Sequence, residues 1–362
     1  MTSTDIKIQY FGTLGTQSTY CAWPTVIEND GELLMVCSGG RQRHVCPFGR
    51  VYFYRSSDGG RTWSVPEVLS KGPLDDRDAG ICRTATGALL VNNFTSIYAF
   101  AHNPDKIPEE WKKLAGTITL NTLHDELGFF MRRSTDNGKT WSEKYSIPVN
   151  NPHGAALLND GSLLLIGRNL SESFVHLDAG TRAGNRIAVA RSVDDGLTWE
   201  IISALSMAPG HSATLCYEPY LIQMPNGRIV ATIRDQNNYP LIQTYQSISE
   251  DNGFSWTEPK VVSDGYPAHL LKFAGSQLMM TCGFRTTPFG IRIRISKDSG
   301  MTWGREHILY GEGKSWDLGY PTTAEMSDGT FFTLWYENIG DRTALRYCRW
   351  EFKKDTVSDT SC

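Results

Sequence analysis

The chain lacks any apolar run long enough to cross a bilayer as a helix, which takes about 20 residues. It lacks a CxxC pair. Its eight cysteines (21, 37, 46, 82, 216, 282, 348 and 362) are scattered, which excludes the common zinc-binding spacings. Most sit inside apolar runs such as LLMVC and LMMTC, the setting of buried free thiols, so a reducing cytoplasm is the expected compartment. The opening MTSTDIKIQYFG has no basic start followed by an apolar run, so no secretory leader is read there; a leader trimmed from the chain would reverse the compartment. A charge excess is missing too. Lys and Arg number 35 against 39 Asp and Glu, a formal −4, which gives no basic field for nucleic acid or a membrane surface. Neither metal nor cofactor is expected.

What the chain has instead is repetition. SSDGGRTW (Ser56–Trp63) returns as STDNGKTW (Ser134–Trp141), SVDDGLTW (Ser192–Trp199), SEDNGFSW (Ser249–Trp256) and SKDSGMTW (Ser296–Trp303). Five copies of S-x-D-x-G-x-T/S-W mark a repeated structural unit. Asp and Asn bond their own following backbone and Gly supplies a positive φ, so each copy reads as a turn. The five tryptophans read as plugs for the hydrophobic layer beneath, not as sugar platforms.

A fainter repeat surrounds the first. Six segments, beginning at Ala22, Asp76, Asn151, Tyr217, Gly265 and Gly319, each read as two apolar strands around a tight turn. Five of the six lead to a third strand ending in the eight-letter box, then to a fourth. Four strands repeated six times predict an all-β, six-bladed propeller of four-stranded antiparallel blades, a single domain over 1–362, with IKIQYFG closing the last blade. The polar stretch His102–Gly116 reads as an insertion in blade two, at about 100–118, possessing helical composition.

This geometry sorts residues by face. The first strand of each blade begins, and the second ends, at the same edge. Four of the six second-strand ends carry arginine: Arg41, Arg168, Arg234 and Arg285. A ring of guanidinium groups on one face favours a bound anion, above all a carboxylate. Arg–Asp pairing within the rim, through Asp75, Asp76, Asp78 or Asp317, is the structural alternative.

The boxes on a six-bladed propeller resemble those of the sialidases (neuraminidases) and their Asp-box relatives. YEPYLIQMPNGRIVATIR places Glu218 sixteen residues before Arg234, as that family places its catalytic Glu before the second arginine of a carboxylate-binding triad. GYPTTAEMSDGTFFTLWYE places Tyr320 at a strand start, like the family's nucleophilic tyrosine, and Arg285 fits the third arginine. The resemblance implies a retaining exo-glycosidase. Tyr320 would attack, Glu218 would take its proton, and the arginines would hold the carboxylate of a terminal acidic sugar. The chemistry fits those residue types, because a carboxylate nucleophile would be repelled by an anionic sugar whereas a neutral phenol is not.

Two positions depart from the family. Its blade-one arginine is replaced by Ala22 in CAWP, so Arg41 or Arg43 is expected to take over, with Arg77 and Asp317 also on the binding face. Its acidic Asp after the second strand of blade one is missing, which leaves Asp75, Asp76 or Asp78 of PLDDRDAG, or His44, as the general acid. An exo-glycosidase for another acidic sugar (a uronic acid or a modified nonulosonate) and a glycan-binding propeller without turnover are the alternatives. The expected partner is an acidic glycan or sialoside. The oligomeric state is left open.

Overall fold

The computed structural model describes residues 3–15, 19–101, 107–169 and 186–353; the expected insertion residues 102–106 and Cys362 lie outside these. Six sheets of four antiparallel strands form a six-bladed β-propeller. Blade one runs through β2 (Tyr20–Asn29), β3 (Glu32–Arg41), β4 (Arg50–Ser56) and β5 (Glu67–Ser70). Blades two to five repeat the order, starting at β6 (Asp75–Arg83), β10 (Ala156–Leu157), β14 (Cys216–Gln223) and β18 (Ala268–Phe273). Blade six takes β22 (Leu318–Glu325), β23 (Phe331–Asn338) and β24 (Thr343–Phe352) from the end of the chain and β1 (Ile6–Leu14) from its beginning. The pairing of Ile6–Leu14 with Thr343–Phe352 closes the ring. Thr343 reinforces it by accepting from the Cys21 amide (2.7 Å) and donating to the Cys21 carbonyl (2.8 Å).

The box has one job in all five blades. In blade one the Ser56 hydroxyl accepts from Gly60 N–H and donates to Asp58, and Asp58 in turn accepts from the amide and hydroxyl of Thr62. The same bonds recur around Asp136, Asp194, Asp251 and Asp298. The turn is then pressed onto the preceding blade. A Cβ at Gly60, whose φ is +90°, would sit 2.2 Å from the Phe332 ring of blade six, so only glycine allows the approach. Gly138 meets Phe53 of blade one, Gly196 meets Leu90 of blade two, and Gly300 meets Val230 of blade four. Each box tryptophan packs into a core cluster between blades; Trp63 lies 6.0 Å from Phe332. The core is thus a set of inter-blade layers, and adjacent sheets bury each other's apolar faces.

Among the described residues, the connection between the second and third strands of blade two carries three short helices, α1 (Tyr98–Ala101), α2 (Glu109–Ala115) and α3 (Leu120–Glu126), so helix continues past Gly116. All seven described cysteines are free and buried. Among the described residues no helix is long and apolar enough to cross a membrane, and no cluster of three or more metal-ligating side chains occurs.

The box makes a prediction about stability. Ser249 is buried and bonded both ways, so Ser249→Ala should cost about 1–2 kcal/mol, read as a lower melting temperature in calorimetry at pH 7. Hydrogen bonds from the Ser255 hydroxyl and amide hold the Asp251 carboxyl below its usual range, so its contribution is present above about pH 4 and is lost as pH falls through the lower folded value. The melting temperatures of wild type and Asp251→Ala should therefore converge in acid.

Candidate active site

Four blades kink their innermost strand at the same place. Trp23 (φ +55°), Asp78 (+51°), Glu218 (+40°) and Tyr320 (+49°) are all left-handed, and each sits at a break in strand register. A left-handed non-glycine residue costs about 1–2 kcal/mol, and such residues collect at functional sites. Proline follows three of the four (Pro24, Pro219 and Pro321). A bulge leaves one residue out of the ladder, so the missing proline N–H is no loss there. The four kinked residues are the ones that the ring brings to the channel mouth.

There the Tyr320 hydroxyl donates to Glu218 Oε1 at 2.6 Å. Arg234 Nη1 donates to both oxygens of the same carboxylate, at 3.3 and 3.1 Å. Burial pushes the Tyr320 phenol well above its ordinary pKa, the negative charges of Glu218 and Asp78 push further, and Arg234 and Arg285 only partly offset this. The group is therefore a neutral phenol whose proton already faces a carboxylate.

Arginines and aromatic rings alternate around this pair. Arg285 lies 5.5 Å from the Tyr320 ring and 5.6 Å from Tyr266; Arg234 lies 4.7 Å from Tyr266 and 5.8 Å from Tyr217; Arg168 lies 4.8 Å from Tyr217. On the other side the Trp23 ring stands 6.2 Å from Tyr320 and carries the Arg77 guanidinium at 4.5 Å. The Arg77 and Arg234 side chains keep 12% and 14% of their surface exposed beside Tyr320, charged donors that an anion can approach. Arg285 Nη2 is steadied at 3.0 Å by the Tyr336 hydroxyl, which donates to Asp317 at 2.9 Å.

The three aspartates of PLDDRDAG have separate fates. Asp75 takes the bidentate grip of Arg41. Asp76 accepts from Thr95, Ser70 and the Gly72 amide, and is sealed. Asp78 alone reaches the mouth, 3.8 Å from Arg77 Nε, with Oδ1 accepting no hydrogen bond. Burial raises its pKa to about 6 against the opposing pull of Arg77, and the nearby Glu218 charge adds to the rise.

Four expected site residues need correction. Arg41 is fully enclosed, donates to Asp75 and the His44 carbonyl, and has no face for a ligand. Arg43 points outward, its guanidinium 4.2 Å over the Trp111 ring of α2. Asp76 is a structural acceptor, not an acid, because its bonds anchor the start of its strand. Asp317 does not face a sugar carboxylate. It accepts from Tyr20 (3.0 Å) and Tyr336, and so positions Arg285 indirectly. His44 stays beside the site, with Nδ1 2.6 Å from the Tyr20 hydroxyl and its ring 5.1 Å from Trp23. Burial lowers its pKa, outweighing the Asp317 hydrogen bond, so it is neutral near pH 7. The aromatic hub of Trp23, Tyr266 and Tyr336 was missed as site chemistry. The one signal available was the recurrence of Trp-Pro, Glu-Pro and Tyr-Pro at strand starts.

Fold and site together define a six-bladed, Asp-box propeller with a polar mouth. Residues 111–333 match the family described as BNR repeat-like domain, and the chain belongs to that family, within the sialidase/BNR-repeat superfamily. It is similar to a sialidase of Bacteroides fragilis (24% identity over 319 residues, 80% of this chain and 54% of the relative) and to one of Micromonospora viridifaciens (24% over 325 residues, 82% and 46%). The chain thus spans about half the length of these curated relatives. Among solved structures it resembles a protein of unknown function from Dyadobacter fermentans (TM-score 0.77, 20% identity, 97% and 100% coverage). It also resembles the NanB sialidase of Streptococcus pneumoniae (TM-score 0.70, 13% identity, 97% and 71% coverage).

As a structural ion-pair partner, Arg41 is costly to remove: Arg41→Ala leaves the buried Asp75 with only the longer contact to Arg77 (3.7 Å) and should cost about 3–5 kcal/mol, whereas Arg43→Ala should cost under about 1 kcal/mol. Urea unfolding at pH 7 measures both; an Arg41→Ala protein of native stability would contradict the assignment.

Proposed function

We propose that this propeller is a retaining, exo-α-sialidase-like glycoside hydrolase that removes a terminal acidic sugar. The observation that carries the reading is the Tyr320–Glu218 hydrogen bond at 2.6 Å, with Arg77, Arg234 and Arg285 around it. The arginines hold the carboxylate on the anomeric carbon and fix the sugar over Tyr320, each charged hydrogen bond being worth about 1.5–3 kcal/mol. Tyr320 Oη forms a bond to that carbon while Glu218 takes the phenol proton. The glycosidic C–O bond breaks, its electron pair stays on the leaving oxygen, and Asp78 supplies that oxygen's proton. In the second step Asp78 takes a proton from water, the water oxygen bonds to the anomeric carbon, and the departing Tyr320 Oη recovers its proton from Glu218. Two inversions give net retention.

Asp78 suits the acid role better than His44. It is still largely protonated below about pH 6, whereas His44 is neutral and held by Tyr20. A second reading, an enzyme for another acidic sugar or a binding propeller, is favoured by one observation. The family's blade-one arginine is absent and Trp23 presents Arg77 instead.

Release of 4-methylumbelliferone from its α-N-acetylneuraminide tests the proposal. Tyr320→Phe should lower kcat on the order of 1,000-fold or more while binding of an unsaturated sialic acid analogue persists; an unchanged rate would refute the mechanism. Asp78→Asn should cost about 100-fold or more on sialyllactose, whose leaving oxygen needs a proton, and far less on the aryl glycoside, whose leaving group does not. Wild-type kcat/KM should fall as pH rises through about 6, and that limb should vanish in Asp78→Asn.

A further inference from the structure

The seven described cysteines are all buried, but two of them are set apart from the rest. Cys46, Cys82, Cys216, Cys282 and Cys348 each lie in a different core cluster. Cys21 and Cys37 share one, together with Trp23, Tyr54 and Tyr320. Their Sγ atoms are 3.4 Å apart, and both residues are fully enclosed. Two thiols in contact between neighbouring strands are placed to form a disulfide, whose S–S bond is about 2.0 Å. The sulfurs have only about 1.4 Å to close, a distance that small rotations of the two side chains cover.

The backbone around the pair gives such a link its importance. β2 and β3 pair in regular register from Asn29 back to Thr25, and the register then breaks twice, between Thr25 and Ala22 and between Ala22 and Tyr20. Trp23, with its left-handed backbone, lies in the first gap. The breaks leave both Cys21 and Cys37 without a partner residue across the β2–β3 ladder. Cys21 spends its amide and carbonyl on Thr343 of blade six, and Cys37 pairs on its other side, with Tyr52 of β4. Where the ladder between the two inner strands of blade one is interrupted, these sulfurs still bring the strands into contact.

We infer that Cys21 and Cys37 are a site of thiol–disulfide exchange, which staples β2 to β3 across the Trp23 kink when the chain folds in the presence of a small-molecule disulfide such as oxidised glutathione. One cysteine thiolate attacks the glutathione disulfide, forming a mixed disulfide and releasing one glutathione thiolate. The second cysteine thiolate attacks the protein sulfur of that mixed disulfide, the Cys21–Cys37 bond forms, and the second glutathione leaves. The protein gives up two electrons and two protons, and one glutathione disulfide becomes two thiols. The exchange belongs to folding and not to the finished propeller. In the folded state both sulfurs are closed to solvent, and burial, aided by the contact with Cys21, pushes the Cys37 thiol well above its ordinary pKa, so the reactive thiolate is scarce. In a reducing medium the pair stays as two thiols. The inference is independent of the hydrolase reading.

The test is cell-free synthesis of the full chain in a glutathione redox buffer and, in parallel, with dithiothreitol. Trypsin leaves both cysteines in one peptide, Ile8–Arg41, and cleavage after Glu28 or Glu32 separates them. From the soluble product made with glutathione, this peptide should be lighter by two hydrogen atoms and take up no iodoacetamide under denaturing conditions. Its halves should stay joined after cleavage at glutamate until they are reduced, while the other described cysteines remain open to alkylation. Cys21→Ala and Cys37→Ala should each restore alkylation of the cysteine that is left. The oxidised wild type should melt about 3–6 °C above the reduced protein, and neither variant should show that gap. Alkylation of both cysteines in the wild type, a glutathione adduct on either, or a link from either to another cysteine overturns the site. Equal melting temperatures of oxidised and reduced wild type overturn the staple. The wild type gives all of these readouts even where a variant fails to fold.

Discussion

The channel mouth exists only because the ring closes. Strand Ile6–Leu14 must pair with Thr343–Phe352, and Thr343 must bond across to Cys21, before blade one can lie against blade six. That closure sets Trp23, near one end of the chain, 6.2 Å from Tyr320, near the other. It also sets the box of blade one on Phe332. The remaining boxes repeat that contact between neighbours, so the ring is held by five copies of one local device and a single long-range strand pair. A chain with the boxes intact but without the closing strand would lose the outer strand of blade six and, with it, support for the convergence of side chains on which any chemistry here depends.

Convergence is costly, and the cost is visible. Four left-handed non-glycine residues, guanidinium groups with unpartnered Nε atoms and an Asp78 whose pKa is raised to about 6 are gathered at one place. Each opposes folding. Asp78 does so in a pH-dependent way. Its raised pKa means the folded state holds the proton more tightly, so this opposition is absent below about pH 4, where both states are protonated, and grows as pH rises through about 6. The aromatic faces of Trp23, Tyr217, Tyr266 and Tyr320 offset part of this, because a desolvated cation over a ring gains about 2 kcal/mol or more. The alternation of arginine and aromatic residues is therefore the means by which so much like charge is kept in one buried ring.

How much of this the sequence disclosed depended on range. The boxes were legible because their bonds run between residues at most four apart, such as Asp251 with Ser255. The blade on which each box rests was not, since it follows from ring order. Arg234 and Arg285 sit at strand ends, where face and edge can be counted, and Glu218 and Tyr320 begin strands beside proline. Arg41 satisfied the same count and was misassigned, because its partner Asp75 comes from the next blade. PLDDRDAG gave three carboxylates without a choice among them. The choice is made by the break in register between Arg77 and Gly80, which turns Asp78 towards the axis and leaves Asp75 and Asp76 in the rim. A bulge in one strand is a tertiary event, and no letter in the segment announces it.

The same bulge bears on the departure at blade one. Trp23 is the hub of the mouth: Arg41 and Arg77 lie 5.0 and 4.5 Å from its ring, and His44, Tyr20, Tyr320 and Tyr336 surround it. A guanidinium rooted at the buried Ala22 beside it would enter a space already holding two cations, one of them locked to Asp75. Like charges at that spacing in a water-poor site repel by several kcal/mol at an effective dielectric near 20. Ala22, Trp23 and Arg77 are thus one linked solution. The cation is supplied from blade two, the aromatic ring of blade one carries it, and the position that would have crowded it is left small. Because Arg77 and Asp78 are adjacent, the cation on the Trp23 ring and the carboxyl whose pKa is raised to about 6 are oriented by a single kink, so neither can move without the other.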